Sequence, residues 1–269
     1  MLLSFEIVFF NIKNKYICNY EFYYPNADKI IEYIDEIKFD KSVIQKTKLI
    51  YKAFFILESI KNLDIKKCIV YLKTIEELEQ FKKIVKLVNV YQELKLSIYC
   101  IDYKTSKNAR NIAITKFRNN TTKISILLNV HVLDEGIDIP ECDSIFITYA
   151  SKSKIRNIQR LCRANRKDKK NPGKISSVFL WCDEYNELAS FMRHIKEYDS
   201  RFTFEKVKRI NSGENNSSGV MKSDSVVEDK KDLDNIIIGI KSVASWYENL
   251  EKVKTYIDEI GRASCRERV

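Results

Sequence analysis

Short apolar runs alternate along this chain with longer segments whose apolar positions recur every three or four residues. The runs lie at residues 16–24, 68–72, 96–101, 124–129, 144–149 and 175–181. Helical spacing fills residues 29–37, 41–62, the stretch after Thr74, 108–118, 154–164 and 183–198. Punctuation agrees with this reading. Pro25 stops the first run, Thr74 with Glu77 three residues on has the form of a capping box, and Ser151 and Ser153 precede the 154–164 helix as caps. Most runs lack polar alternation, as strands buried on both faces do. Strands alternating with helices of ten or more residues predict a doubly wound α/β domain, with a parallel sheet and helices on both faces, ending near Ile210.

The pattern breaks after that point. Residues 211–231 are rich in Ser, Asn, Gly, Asp and Lys and read as a flexible linker. Helical spacing returns over residues 232–258, with Trp246, Leu250, Val253 and Ile257 on one stripe. The last segment, 259–269 (EIGRASCRERV), resembles a translated sequencing adapter and is set aside as non-native.

Composition narrows the choices further. With 269 residues, 45% of them apolar, and only 6 Gly and 3 Pro, the chain can bury a large core. A net charge of +10 and a pI near 9.1 lean toward a polyanionic partner, the backbone of DNA or RNA. The 7 cysteines are scattered singly and only 2 histidines accompany them, so neither a disulfide framework nor a zinc site is indicated. That usage predicts reduced thiols and an intracellular location, cytoplasm or nucleus. No apolar stretch approaches the roughly 18 residues of a membrane span, and residues 1–10 lack a basic leader region.

Two segments carry the chemistry. Residues 133–140 (LDEGIDIP) place Gly136 and Asp138 in a turn after an apolar run, closed by Pro140. Residues 159–166 (QRLCRANR) place Gln159, Arg163 and Arg166 on a predicted helix, the two arginines three apart and so on one face. Two fixed guanidiniums beside a Gly-x-Asp turn suit a developing phosphate charge. In order and spacing these segments resemble motifs V and VI in the second RecA-like domain of superfamily-2, DEAD/DEAH-like helicases. Residues 67–74 (KCIVYLKT) resemble motif IV, and residues 105–117 resemble the capped helix that follows it.

The resemblance implies a role for each matched residue. Arg163 and Arg166 take the arginine-finger positions, and Gln159 holds contacts across an interdomain cleft. Gly136 permits close backbone approach, and Asp138 accepts a hydrogen bond from the nucleotide ribose. Lys73 and Thr74 with the amides of their helix, together with Ser106 and Asn129, would grip the nucleic-acid backbone. Two positions depart from the family pattern. Cys162 stands where Gly is usual, and Val130-His131 where Thr-Asp is found in one variant.

No G-x-x-x-x-G-K-[ST] phosphate loop and no Asp-Glu-Ala-Asp box occur in the sequence. Residues 1–15 resemble the end of a preceding RecA-like domain and its connector, which would hold ATP and Mg2+. The resemblance thus implies the C-terminal half of an ATP-dependent helicase or translocase, inactive alone, with a missing N-terminal RecA-like domain as partner. The helix at 232–258 would begin a helicase-associated module. The alternative is a stand-alone, non-catalytic RecA-like module that binds nucleic acid or a partner.

Overall fold

The computed structural model describes residues 17–25, 30, 34, 47–133, 139–151, 153–182, 185–199 and 207–210. The chain divides into two units, Met1–Lys222 and Ser223–Val269, and all described residues lie in the first. Expectations for residues 1–15, 211–231, 232–258 and 259–269, and for most of the 29–37 helix, lie outside the described residues, as do Gly136 and Asp138.

In chain order the elements are β1 (Asn19–Pro25), α1 (Thr47–Asn62), β2 (Lys67–Tyr71), α2 (Ile75–Gln92), β3 (Leu96–Ile101), α3 (Lys107–Asn119) and β4 (Ile124–Asn129). They continue as β5 (Ser144–Ile147), α4 (Lys154–Ala164), β6 (Ile175–Leu180), α5 (Tyr185–Tyr198) and β7 (Val207–Ile210). The strands form one sheet in the order β3-β4-β2-β5-β6-β1-β7, and every pairing is parallel. The expected doubly wound α/β fold is present. β7 was not anticipated; four residues with two charges among them carry no strand pattern of their own, and β7 forms by pairing with β1, Pro25 against Ile210.

Successive residues of the strands serve opposite faces. Cys68, Val70, Ile126, Leu128, Phe146 and Phe179 point into a core shared with α1 and α2. There Phe55 meets Phe146, Phe179 and Trp181 edge-on at 5.6–6.1 Å. Each such side chain withdrawn from water contributes on the order of 1.5–3 kcal/mol. The opposite face is covered by α3, α4 and α5, with Phe191 of α5 against Phe22 of β1 at 6.1 Å. Because all strands run one way, their C-terminal ends share one edge, where open α/β sheets place their ligands.

Candidate functional site

That edge is built from the exits of β2, β4, β3 and β5 and from α4. At the β2 exit Thr74 caps α2, its hydroxyl accepting from Glu77 N–H at 3.1 Å. The Glu77 carboxylate turns back to accept from Lys73 N–H at 3.0 Å. Glu76 and Glu77 both stand in the first turn of α2, so the helix-end amides expected to cradle a phosphate already face carboxylates. Lys73 and Thr74 remain exposed as side chains. The β3 exit differs. Ser106 caps α3 by accepting from Ala109 N–H at 3.2 Å, and α3 has no acidic residue along its length.

At the β4 exit the chain turns sharply, with His131 in the left-handed region at φ 59°. Asn129 is fully buried, and its Oδ1 accepts from Val132 N–H at 3.2 Å and Leu133 N–H at 3.0 Å. The residue expected to touch nucleic acid therefore shapes the loop from within. Val130 is buried as well, while His131 is exposed.

Helix α4 begins at Ser153, whose hydroxyl accepts from Arg156 N–H, and Asn157 clamps the approach by bonding both backbone groups of Ser151. Gln159 and Arg163 lie on this helix, both half-buried. Arg166 does not. The helix ends at Ala164 with Asn165 as its cap, so the expected i, i+3 helical face does not extend to Arg166. Its backbone instead pairs with Ile17 in an antiparallel bridge, next to a 2.6 Å hydrogen bond from Cys18 N–H to Asn165 O. Both arginines still act on the Cys162 thiol. Burial raises its pKa to about 11, and the Arg166 and Arg163 charges oppose that rise.

Two residues with no assigned role hold this geometry. Arg160 is fully buried on α4, its guanidinium 5.0 Å from the Tyr71 ring and 4.8 Å from the Tyr149 ring, donating to the Tyr149 hydroxyl at 2.7 Å. It ties α4 to the ends of β2 and β5 by stacking and hydrogen bonding together. Lys174, only 7% exposed, donates to Ala164 O at 2.7 Å, Pro140 O at 2.8 Å and Arg166 O at 3.0 Å. One ammonium thus joins the end of the 133–140 loop to the end of α4. Arg160 could have been suspected from its place inside the 159–166 segment; nothing local marks Lys174.

The opposite, N-terminal edge of the strands holds a groove of about 760 Å³ that includes Lys66, Lys67, Lys95, Lys123 and Lys170. Several of its cations are engaged already, Lys66 with Asp64, Lys67 with Arg118 O, and Arg118 with Glu141 at 2.9 Å. Among the described residues, no group of three or more His, Cys, Asp and Glu gathers to hold a metal, and no helix is long and apolar enough to cross a membrane.

Comparison with known proteins agrees with this architecture. Residues 45–168 match the family model of the helicase conserved C-terminal domain. A 51.5 kDa protein of Lactococcus phage (isolate 7-9) is 30% identical over 125 residues, covering 46% of this chain and 26% of the relative. The chain therefore spans about a quarter of that relative's length. Among solved structures, the ATP-dependent Type ISP restriction-modification enzyme LlaBIII bound to DNA aligns with a TM-score of 0.61 at 15% identity, over 87% of this chain and 18% of that one. The Mycobacterium smegmatis helicase Lhr bound to ssDNA and AMP-PNP gives 0.49 at 14% identity, over 67% of this chain and 22% of that one. The matched segment runs from the approach to α1 to just beyond Arg166, and the sheet around it is RecA-like. Residues 45–168 of this chain are thus similar to the helicase conserved C-terminal domain.

Proposed function

We propose that the chain is the second motor domain of an ATP-dependent nucleic-acid helicase or translocase, completed by a RecA-like domain that carries the phosphate loop. The observation that supports this most directly is the placement of Arg163 and Arg166. Both arginines flank the buried Cys162, on backbone that Lys174 and the Ile17–Cys18 segment hold in place at the end of α4. Guanidiniums on anchored backbone suit an anionic phosphoryl group, because the backbone needs no ordering when charge develops. Bound ATP with Mg2+ would supply the free energy for movement along the strand, and the partner domain would hold most of both. Gln159 would keep the two domains in register, and Gly136 with Asp138 would meet the ribose. Lys73, Thr74 and Ser106 would contact the nucleic-acid backbone without reading sequence. Asn129 would contribute by setting the shape of the loop after β4. By itself the chain would hydrolyse no ATP.

The test uses a polypeptide in which a phosphate-loop domain precedes this one. Arg166→Ala should lower steady-state ATP hydrolysis by about 10³-fold or more, with binding of single strands kept. Arg166→Lys should rescue poorly, since a point charge cannot reproduce the planar fork of donors. Equal turnover in all three proteins would return Arg166 to an ordinary surface charge.

A further inference from the structure

The loop from β3 to α3 combines features that the backbone contacts above do not use. Tyr103 is 68% exposed there. The other large apolar side chains of comparable exposure among the described residues lie elsewhere. Val90 and Tyr91 are near the end of α2, Ile112 is within α3, and Ile175 opens β6. Tyr103 alone of these stands at the C-terminal edge of the strands, beside Ser106 and two strands across from Lys73.

Its loop is rigid. Asp102 Oδ1 accepts from Lys104 N–H at 2.8 Å, Thr105 N–H at 2.9 Å and the Thr105 hydroxyl at 3.0 Å. Thr105 Oγ1 accepts in turn from Asp102 N–H at 3.0 Å, and Arg110 donates to Thr105 O at 3.3 Å. The ring is therefore presented on a fixed turn, and binding to it orders no backbone.

Its surroundings are cationic. Lys104 Nζ lies 5.9 Å from the ring centroid, Lys107 opens α3, and Arg110 lies one turn further on. At the β2 exit, by contrast, Glu76 and Glu77 meet the helix end. A polyanion crossing this edge is thus drawn from Lys73 toward the β3 side. Strands are spaced about 4.8 Å apart, so those two exits are roughly 10 Å from each other, within reach of one short strand of nucleotides. A protein partner would call for apolar neighbours around the ring, and Lys104 and Lys107 are not that.

We propose that Tyr103 is a stacking platform for an unpaired base, with Lys104 and Lys107 on the flanking phosphates, so that this domain takes single-stranded nucleic acid. The assignment rests on the nucleic-acid reading above and deepens it. A ring face stacks on any base, which makes the site indifferent to sequence, but a base held inside a duplex cannot reach it.

The experiment is fluorescence anisotropy of the full chain with three end-labelled probes of equal length, namely a thymidine oligonucleotide, an abasic phosphodiester strand and a duplex. Tyr103→Ala should weaken binding of the thymidine strand by roughly five- to 150-fold, a range set by typical base–aromatic stacking. Binding of the abasic strand should be unchanged, and the wild-type chain should prefer the thymidine strand over both other probes. Tyr103→Trp should retain affinity, and its indole emission should be quenched by the thymidine strand alone. Unaltered circular dichroism would establish that both variants are folded. An equal loss on thymidine and abasic strands, or no loss on either, overturns the stacking site. Lys107→Ala separates the two layers of the argument. If it weakens all strands while Tyr103→Ala weakens none, backbone binding stands and stacking falls. Wild-type chain that binds no strand at low salt overturns both.

Discussion

Replacing Lys174 by Met keeps the side chain's stem and removes the ammonium that three carbonyl oxygens share. Those oxygens belong to Pro140, Ala164 and Arg166, at 2.7–3.0 Å, and the residue is 7% exposed. A hydrogen bond to a charged group is worth about 1.5–3 kcal/mol. Ala164 O keeps the Ser176 hydroxyl at 2.9 Å, so its loss is the smallest of the three. The other two carbonyls lose a charged donor in a setting with little access to water. Against this stands relief from holding an ammonium out of solvent, which offsets part of the cost. The balance is a destabilisation of about 2–4 kcal/mol, a large share of the roughly 5–15 kcal/mol that holds a domain folded. Equilibrium urea unfolding at constant pH measures it, and the midpoint should fall with the slope unchanged. Hydrogen exchange adds a local reading. Protection at the Cys18 amide, bonded to Asn165 O, should drop further than in the α1–α2 core, because the end of α4 loses its anchor. Lys174→Arg should fall between wild type and Met, since a planar fork cannot converge on three carbonyls as an ammonium does. A loss below about 1 kcal/mol, or a uniform loss of protection, would refute the view that Lys174 joins loop and helix.

Two further outcomes follow from buried or paired charges. Arg160→Met should cost about 1–3 kcal/mol, visible as a fall of several degrees in Tm, because it removes the stack between Tyr71 and Tyr149 and the bond to the Tyr149 hydroxyl while relieving the burial of a cation; Arg160→Lys should recover little of it. Glu141 offers a pH test. Burial alone would raise its carboxyl, but the Arg118 hydrogen bonds, a backbone hydrogen bond and the Arg118 and Lys67 charges together outweigh that and hold the pKa below the ordinary value of 4.5. A depressed carboxylate stabilises the fold above 4.5, and that stability is lost as pH falls through the folded value. The Tm of Glu141→Gln should therefore lie below wild type at neutral pH, and the gap should close on acidification below 4.5. A gap independent of pH would show that Glu141 acts through packing and not through its charge.

Local patterning was enough to place most elements. The runs at 96–101 and 124–129 and the helix at 154–164 coincide with β3, β4 and α4, because short apolar runs and serine caps are signals carried by neighbouring residues. The resemblance of residues 45–168 to a helicase C-terminal domain was legible for the same reason, since each segment that carries it is a few residues long at fixed spacing. Other features depend on partners far away in sequence. β7 exists because β1 lies beside it, and its own four residues carry no strand pattern. Arg166 leaves the helix because Ile17 and Lys174 take up its backbone, and no periodicity could have foretold that. Asn129 turned inward to the loop that follows it, and Glu77 claimed Lys73 N–H, so two expected nucleic-acid contacts acquired structural work. Arg160 looked like one more cation in a basic segment until Tyr71 of β2 and Tyr149 just beyond β5 closed over it. What the sequence determined by itself was periodicity and caps, both set within a few residues. Which cations face solvent and which hold the frame was decided by the tertiary structure, because burial and pairing depend on what the folded chain brings alongside.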